Sequence, residues 1–489
     1  MVLPEASRAE LLAALAQRDA ELLALRRTVA DQNSRMAALV DQVAALQARS
    51  GRDSSNSSKP PSSDSPYTKK PKPKRGLRGA SGRKPGKQPG APGATLRQLD
   101  DPDEVVICEL DNCPDCCPRP LTDAPVEGVT RRQVFDPPPP PPRPHVTEYR
   151  IITRRCGCGK QLVGAGPAGV NAPVSYGPAA AALAVYAGVG QYLPVARAAA
   201  VLGCLSGMNV SAGWLAGQRA RAARLIEGTF LPHVRALLHD VAVLHVDETP
   251  GRAAGKLAYV HIACTEFLTS AHVGDRSAAT IDAGGVLPGY QGVLVRDGYA
   301  GYAHLVQATH AWCGAHTLRD LQAVHDADPD RQLWAKAMAD TLLEANTAGG
   351  AARAAGLSSL DPATLATVLN HYPGAAALGV SDNISRRGRL SVEALTLARR
   401  FTRHQAMILR FATDLTAPFT NNQAERDARP VKVQQRTSGG CWRTLEGLGD
   451  FAIVQSYLST AHKWGHDSLA VLRQLFTTGP WLPPSAAPT

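Results

Sequence analysis

Aromatic side chains are scarce in this chain. Phe, Tyr and Trp make up 5% of its 489 residues, although hydrophobic residues reach 44%, enough for at least one sizeable core. Scarce aromatics beside abundant Ala, Gly and Pro read as a high-GC coding bias and exclude no function. A secretory leader is lacking: Met1-Val-Leu-Pro-Glu5 has neither the basic start nor the apolar stretch of one. Long hydrophobic runs are lacking too. Residues 177–196 carry no charge, but they are mostly Ala and Gly and are broken by Pro178, Gln191 and Pro194. That is too weakly hydrophobic for a membrane span and reads as a soluble helical pair. A cytoplasmic location without membrane contact is expected, so the ten Cys read as reduced thiols or metal ligands.

Acidic residues are the minority, with 42 Asp and Glu against 53 Lys and Arg and a net charge of +11. The excess is local. Residues 51–98 hold twelve Lys or Arg and two Asp, which leaves the rest of the chain nearly neutral. Within that stretch lie Lys69, Lys70, Lys72, Lys74, Arg75, Arg83, Lys84 and Lys87. It also holds Ser54-Ser-Asn-Ser-Ser-Lys-Pro-Pro-Ser-Ser-Asp64 and no apolar periodicity, so it should be disordered when free. A basic segment of this kind suits a polyanion, because each neutralised phosphate releases a counterion. The alternative is a merely solubilising linker.

Before the linker, residues 6–49 contain neither Gly nor Pro. Leu15, Leu22, Val29, Met36 and Val43 recur every seven residues, and Leu25, Leu39 and Leu46 occupy the partner row, which Arg18 and Gln32 interrupt. This is a heptad seam for self-association, rather than a helix packed on its own domain. After the linker, residues 99–165 form a Cys-bearing module. Cys113-Pro-Asp-Cys116 and Cys156-Gly-Cys158-Gly159 flank the six-proline run 137–142. Two thiolate pairs favour a tetrahedral Zn2+ site with Cys113, Cys116, Cys156 and Cys158 as ligands, although Cys108 and Cys117 are spare candidates. Residues 170–240 read as helices that include a helix-turn-helix, with Ser211 as N-cap and Arg219, Arg221 and Arg224 following; a plain helical hairpin fits as well.

Val241-Ala-Val-Leu-His-Val-Asp247 is an apolar run that predicts a buried strand with Asp247 at its C-terminal end. Residues 257–263 and 268–273 read as the next two strands. Gly292-Val-Leu-Val-Arg-Asp297 is again an apolar strand ending in Asp. In Asn421-Asn-Gln-Ala-Glu425-Arg426, Asn422 reads as a helix N-cap with Glu425 three residues later, which a capping box explains without any catalytic role. Pro430 is expected to kink or end that helix. His245 shares a strand face with Asp247 and reads as a satisfied core His; Cys313 and His316 read as packing. Three carboxylates would suit phosphodiester chemistry, because Mg2+ or Mn2+ prefers hard oxygen ligands.

At these residues the chain resembles the IS sixty-six family of bacterial insertion-sequence transposases, members of the DDE group. The matching pieces are the zipper, the Asn56-to-Asp64 run, Ser81-Gly-Arg-Lys-Pro-Gly-Lys-Gln-Pro-Gly90 and the Cys module. Further along are His245-Val-Asp-Glu-Thr-Pro250, Asp297-Gly-Tyr-Ala-Gly-Tyr302, Cys313-Gly-Ala-His316, Asn421-Asn-Gln-Ala-Glu-Arg426 and the Ser438-Gly-Gly stretch. The departures are the C-x-C spacing of the second Cys pair and Arg296 before the second Asp.

The resemblance implies a multidomain α/β chain. Its coiled coil (1–50), basic linker (51–98), zinc-binding module (99–165) and helical DNA-binding region (170–240) would precede an RNase H-like mixed sheet flanked by helices (241–440). A helical insertion is expected at about 325–412 and a helical tail at 441–489. Asp247, Asp297 and Glu425 are implied as the Mg2+- or Mn2+-binding catalytic triad, with structural Zn2+ in the Cys module. The linker residues named above, with Arg426 and Arg429, are the candidate DNA contacts. Expected partners are element ends and target DNA in the nucleoid, a second copy through the coiled coil, and accessory proteins of the same element. The alternatives are a transposase-derived DNA-binding protein without activity and an RNase H-like nuclease with another substrate.

Overall fold

The computed structural model describes residues 8–50, 97–108, 110, 125–135, 143–167 and 169–485. The basic run with Lys69, Lys70, Lys72, Lys74, Arg75, Arg83, Lys84 and Lys87 lies outside these residues, as do Cys113, Cys116, Cys117 and the proline run.

Helix α1 (Arg8–Ser50) carries the heptad seam, and Leu15, Leu22, Leu25, Val29, Met36, Leu39, Val43 and Leu46 are all exposed along it. Two short strands, β1 (Thr153–Arg155) and β2 (Gln161–Val163), pair antiparallel around the second Cys pair. Four helices follow: α2 (Pro178–Val185), α3 (Val195–Ser206), α4 (Ala212–Glu227) and α5 (Phe230–His239). α3 runs through Gly203 and stops at Gly207, whose φ of 65° suits glycine. Ser211 caps α4 by accepting the Trp214 N–H at 3.1 Å. Two of the α4 arginines face the protein: Arg219 lies 3.8 Å from Asp450, and Arg221 sits over the Phe476 ring. No helix among the described residues is long and apolar enough to cross a membrane.

A five-stranded mixed sheet forms the centre. Its strands are β3 (Val243–Ala253), β4 (Lys256–Cys264), β5 (Thr269–Gly274), β6 (Val293–Arg296) and β7 (Thr309–Trp312), in the order β5-β4-β3-β6-β7. The first three make an antiparallel meander, and β6 and β7 add parallel to β3. Short helix α6 (Ala278–Ala283) lies in the crossover from β5 to β6. β3 does not end at Asp247 as its apolar run suggests. It continues six residues further, because residues 245–253 pair with β4 through a tight turn at Ala254 and Gly255, both at positive φ. The turn lacks the Asn-Gly signature that marks such hairpins in sequence.

Helix α7 (Gly314–Ala327) follows β7. A Cβ on Gly314 would lie 2.2 Å from the Phe419 ring, so only glycine lets α7 start there. Five helices, α8 (Leu333–Ala354), α9 (Pro362–Ile384), α10 (Arg389–Arg403), α11 (Gln405–Ile408) and α12 (Arg410–Thr413), build a second core around Trp334, Tyr372, Phe401 and Phe411. The chain then returns to the sheet as α13 (Asn422–Thr437), α14 (Leu445–Lys463) and α15 (Ser468–Thr477). α13 packs on β3 and β4, and α14 on β5 and α4. Pro430 neither ends nor breaks α13: Val431 and Gln434 beyond it are buried, and this packing offsets the one lost backbone bond.

Candidate active site

The parallel pairing of β3 with β6 sets Val243, Leu244 and His245 against Val293, Leu294 and Val295. The parallel pairing ends at His245 and Val295, two residues before Asp247 and Asp297, and the charge of Asp297 acts on Asp247. Each Asp has one oxygen held by nearby backbone: Asp247 Oδ1 accepts the Glu248 N–H at 2.9 Å, and Asp297 Oδ1 accepts the Tyr299 N–H at 2.8 Å. These bonds restrict carboxylate rotation.

The third carboxylate arrives through Asn421. The capping-box reading of α13 is off by one residue. Asn421 occupies the N-cap position, but its side chain makes no cap bond. It is fully buried and reaches across to β3, where Nδ2 donates to the Val246 carbonyl at 2.7 Å and Oδ1 lies 2.9 Å from His245 Nδ1. Its own N–H donates to Cys313 Sγ at 3.2 Å. Asn421 thus ties the start of α13 to the strand segment beside Asp247, and Glu425 follows one turn later. Glu425 Oε1 lies 3.4 Å from Arg319 Nη2 and 3.6 Å from His316 Nδ1, both on α7. His245 is a satisfied histidine, as read from sequence, and burial holds its pKa below the ordinary value.

The electrostatics reflect this convergence. Asp247 is pushed up to about 8, first by burial, then by the charges of Asp297 and Glu248, with Glu425 adding and His316 opposing. Burial alone would lower His316, but hydrogen bonding and charge interaction with Cys313, with Glu425 adding, raise it to about 9. His316 faces Glu425. Cys313 Sγ, a His316 ring nitrogen and a Glu425 oxygen all lie within 4.8 Å of one another, so Cys313 at the N-cap of α7 and His316 in its first turn border Glu425. Lys432, two turns after Glu425, donates to the Pro250 carbonyl; burial and Arg436 hold it at about 8, against the pull of Asp247. Arg426 and Arg429 are exposed on α13.

The donor set fits a divalent cation. Burial, with the charges of Asp297 and Glu248, disfavours a bare carboxylate at Asp247, and hard oxygens are what Mg2+ or Mn2+ takes.

The family model described as "Transposase IS66 family" matches residues 173–449, more than half of the chain. The chain belongs to that family. A second model, of a family of unknown function, matches residues 5–97, and no curated protein matches. The IS66 match runs from α2 to the first turn of α14 and takes in the whole sheet and α13, so all three carboxylates fall inside it.

Two features of this family member went unread in its sequence. Arg296 looks like an incidental departure, yet it is buried at 3% exposure. Its Nε donates to His310 Nδ1 at 2.8 Å, and Nη1 donates to the Asp297 and Tyr299 carbonyls at 2.9 Å each. It braces the Asp297 turn from below. The second is a buried ion pair, Lys463 Nζ to Asp427 Oδ2 at 2.6 Å, which fastens α13 to α14 two residues beyond Glu425. Neither has a local sequence signal, because each partner is distant in the chain or on another strand.

Elsewhere, Cys156 and Cys158 sit exposed in the β1–β2 hairpin. The Cys156 N–H donates to the Lys160 carbonyl, the Gly159 N–H donates to the Cys156 carbonyl, and Gly159 has φ 85°. The Cys158 backbone N–H, then the Cys158 side chain, pull the Cys156 thiol below its usual pKa.

Proposed function

We propose that this chain is an active transposase that binds the ends of an insertion sequence, cleaves the strands there and joins the freed 3′ ends to target DNA. Asp247, Asp297 and Glu425 would hold Mg2+ or Mn2+. The observation that supports this reading is that α13, which carries Glu425, packs on β3, while Asp297 and Glu425 both raise Asp247 through their charge. The strand order, an antiparallel meander followed by two parallel strands, supports an RNase H-like catalytic domain. Bound divalent ions would activate an oxygen nucleophile and stabilise the departing oxygen. The chain's own residues supply position and charge. Asn421 sets the start of α13, Arg296 braces the Asp297 turn, and Arg319 and His316 hold Glu425 through its charge. Arg426, Arg429 and Lys432 offer cations to DNA phosphates along the same helix.

The N-terminal parts supply assembly and grip in this reading. The exposed seam of α1 would pair with a second copy, and the basic linker would track DNA backbone. The Cys156–Cys158 turn, with Cys113 and Cys116, would hold a structural Zn2+. A transposase-derived DNA-binding protein without activity is the competing reading. Cleavage of cognate ends in Mg2+ decides between them: Asp247→Asn, Asp297→Asn and Glu425→Gln should each lower the rate by at least about 100-fold, on the order of 2.7 kcal/mol of barrier. Full activity in all three would refute the triad.

A further inference from the structure

We infer that Glu248, Tyr302 and Arg276 form a positioning network that locks the two Asp-bearing segments in register; this rests on the triad reading above. Glu248 directly follows Asp247 and points to the opposite face of the sheet, where its side chain is 2% exposed. Its Oε2 accepts from the Tyr302 hydroxyl at 2.8 Å, and its Oε1 accepts from Arg276. Tyr302 closes the short helical turn that follows Asp297 and is 1% exposed. The Arg276 guanidinium lies 3.7 Å from the centre of the Tyr299 ring, and the Tyr299 hydroxyl donates back to the Arg276 carbonyl at 2.7 Å. Tyr299 in turn holds Asp297 Oδ1 through its N–H. The path is closed. It runs from Asp247 through Glu248 to Tyr302 and Arg276, and from Arg276 through Tyr299 to Asp297.

A structural role alone is a poor explanation for this carboxylate. Burying a charge costs several kcal/mol, and a whole buried ion pair replaced by apolar residues of similar size is often no less stable. The charge of Asp297 close by adds to that cost. What a buried ion with two directional partners does supply is registry. Tyr302 and Arg276 can satisfy Glu248 in only one arrangement of the Asp297 turn against β3. The network also accounts for the Glu after Asp247 and for both tyrosines in Asp297-Gly-Tyr-Ala-Gly-Tyr302. Partners of this kind around metal-binding side chains typically change metal affinity or activity 10–100-fold when altered.

The test uses the full chain and direct Mn2+ binding by calorimetry, with thermal unfolding of the same samples. Glu248→Leu and Tyr302→Phe should each weaken Mn2+ binding about 10–100-fold in samples that still unfold cooperatively and well above the temperature of the binding measurement. Glu248→Gln, which can still accept from Tyr302, should fall between Glu248→Leu and the unaltered chain. Asp247→Asn is run in parallel. If Asp247→Asn loses Mn2+ binding while Glu248→Leu and Tyr302→Phe keep it, the network has no positioning role and the inference falls alone. If Asp247→Asn binds Mn2+ as the unaltered chain does, the triad reading falls and takes the inference with it.

Discussion

Replacing Asn421 gives the sharpest physical test of how the site is assembled. The side chain is fully buried and spans from α13 to β3 with two bonds, at 2.7 Å to the Val246 carbonyl and 2.9 Å to His245 Nδ1. Asn421→Ala removes both partners at once. Each buried group left unpaired costs about 1–3 kcal/mol, so a loss of about 2–5 kcal/mol in urea unfolding is expected. Asn421→Asp keeps the volume and changes one donor to an oxygen. To fold with the same bonds, the new carboxyl must stay protonated, donating to Val246 and accepting from His245. The unfolded chain releases that proton above a pKa of about 3.9, so the raised native pKa makes the deficit grow with pH. At about 1.36 kcal/mol per unit, the variant should be about 4 kcal/mol less stable than the unaltered chain at pH 7. The deficit should shrink to nearly nothing near pH 4. Both proteins are compared at each pH, which removes most of the titration they share. A loss below about 1 kcal/mol for Asn421→Ala would refute the reasoning, and so would a deficit for Asn421→Asp that does not change with pH.

Three further outcomes follow from the same geometry. Lys463→Met strands Asp427 in a site where the two side chains are 10% and 7% exposed; it should cost about 3–5 kcal/mol, and adding Asp427→Asn should recover part of that loss in a double-mutant cycle. His310 is 8% exposed and burial, with the Arg296 charge, holds it at about 4. The unfolded chain protonates from about pH 6.5 downward while the folded chain resists until about 4, so about 3 kcal/mol of stability should be lost across that window; His310→Asn, which keeps an acceptor for Arg296, should flatten that slope, and an unchanged acid limb would contradict it. Zinc measured by elemental analysis should fall from about one ion per chain to none in Cys156→Ser, and an unchanged zinc content would remove Cys156 from the ligand set.

Much of this protein was legible because some signals are local. An apolar run such as residues 241–246 marks a strand without knowledge of its neighbours, although β3 buries Leu244 and Val246 and leaves Val243 and His245 half-buried. The same holds for the heptad row of α1 and for Ser211 at the start of α4. Local signals failed where a partner elsewhere changed the outcome. β3 runs past Asp247 because β4 supplies its hydrogen bonds. α13 survives Pro430 because Val431 and Gln434 are buried beneath it. Asn421, not Asn422, occupies the N-cap position because its side chain finds Val246, 175 residues away.

The sequence by itself determined that carboxylates follow two apolar runs, that a third opens a late helix, and that basic charge gathers in one linker. Only the tertiary structure decided that these carboxylates meet. The parallel pairing of β3 with β6, at an offset of fifty residues, set the segments that carry the two Asp side by side up to His245 and Val295. A buried amide then set the helix that carries Glu425, and a fourth carboxylate, Glu248, turned to the opposite face to join the Asp297 turn. The physical reason is that hydrogen-bond pairing and burial are settled between segments far apart in the chain. Composition and periodicity report only what each segment requires, not which partner supplies it.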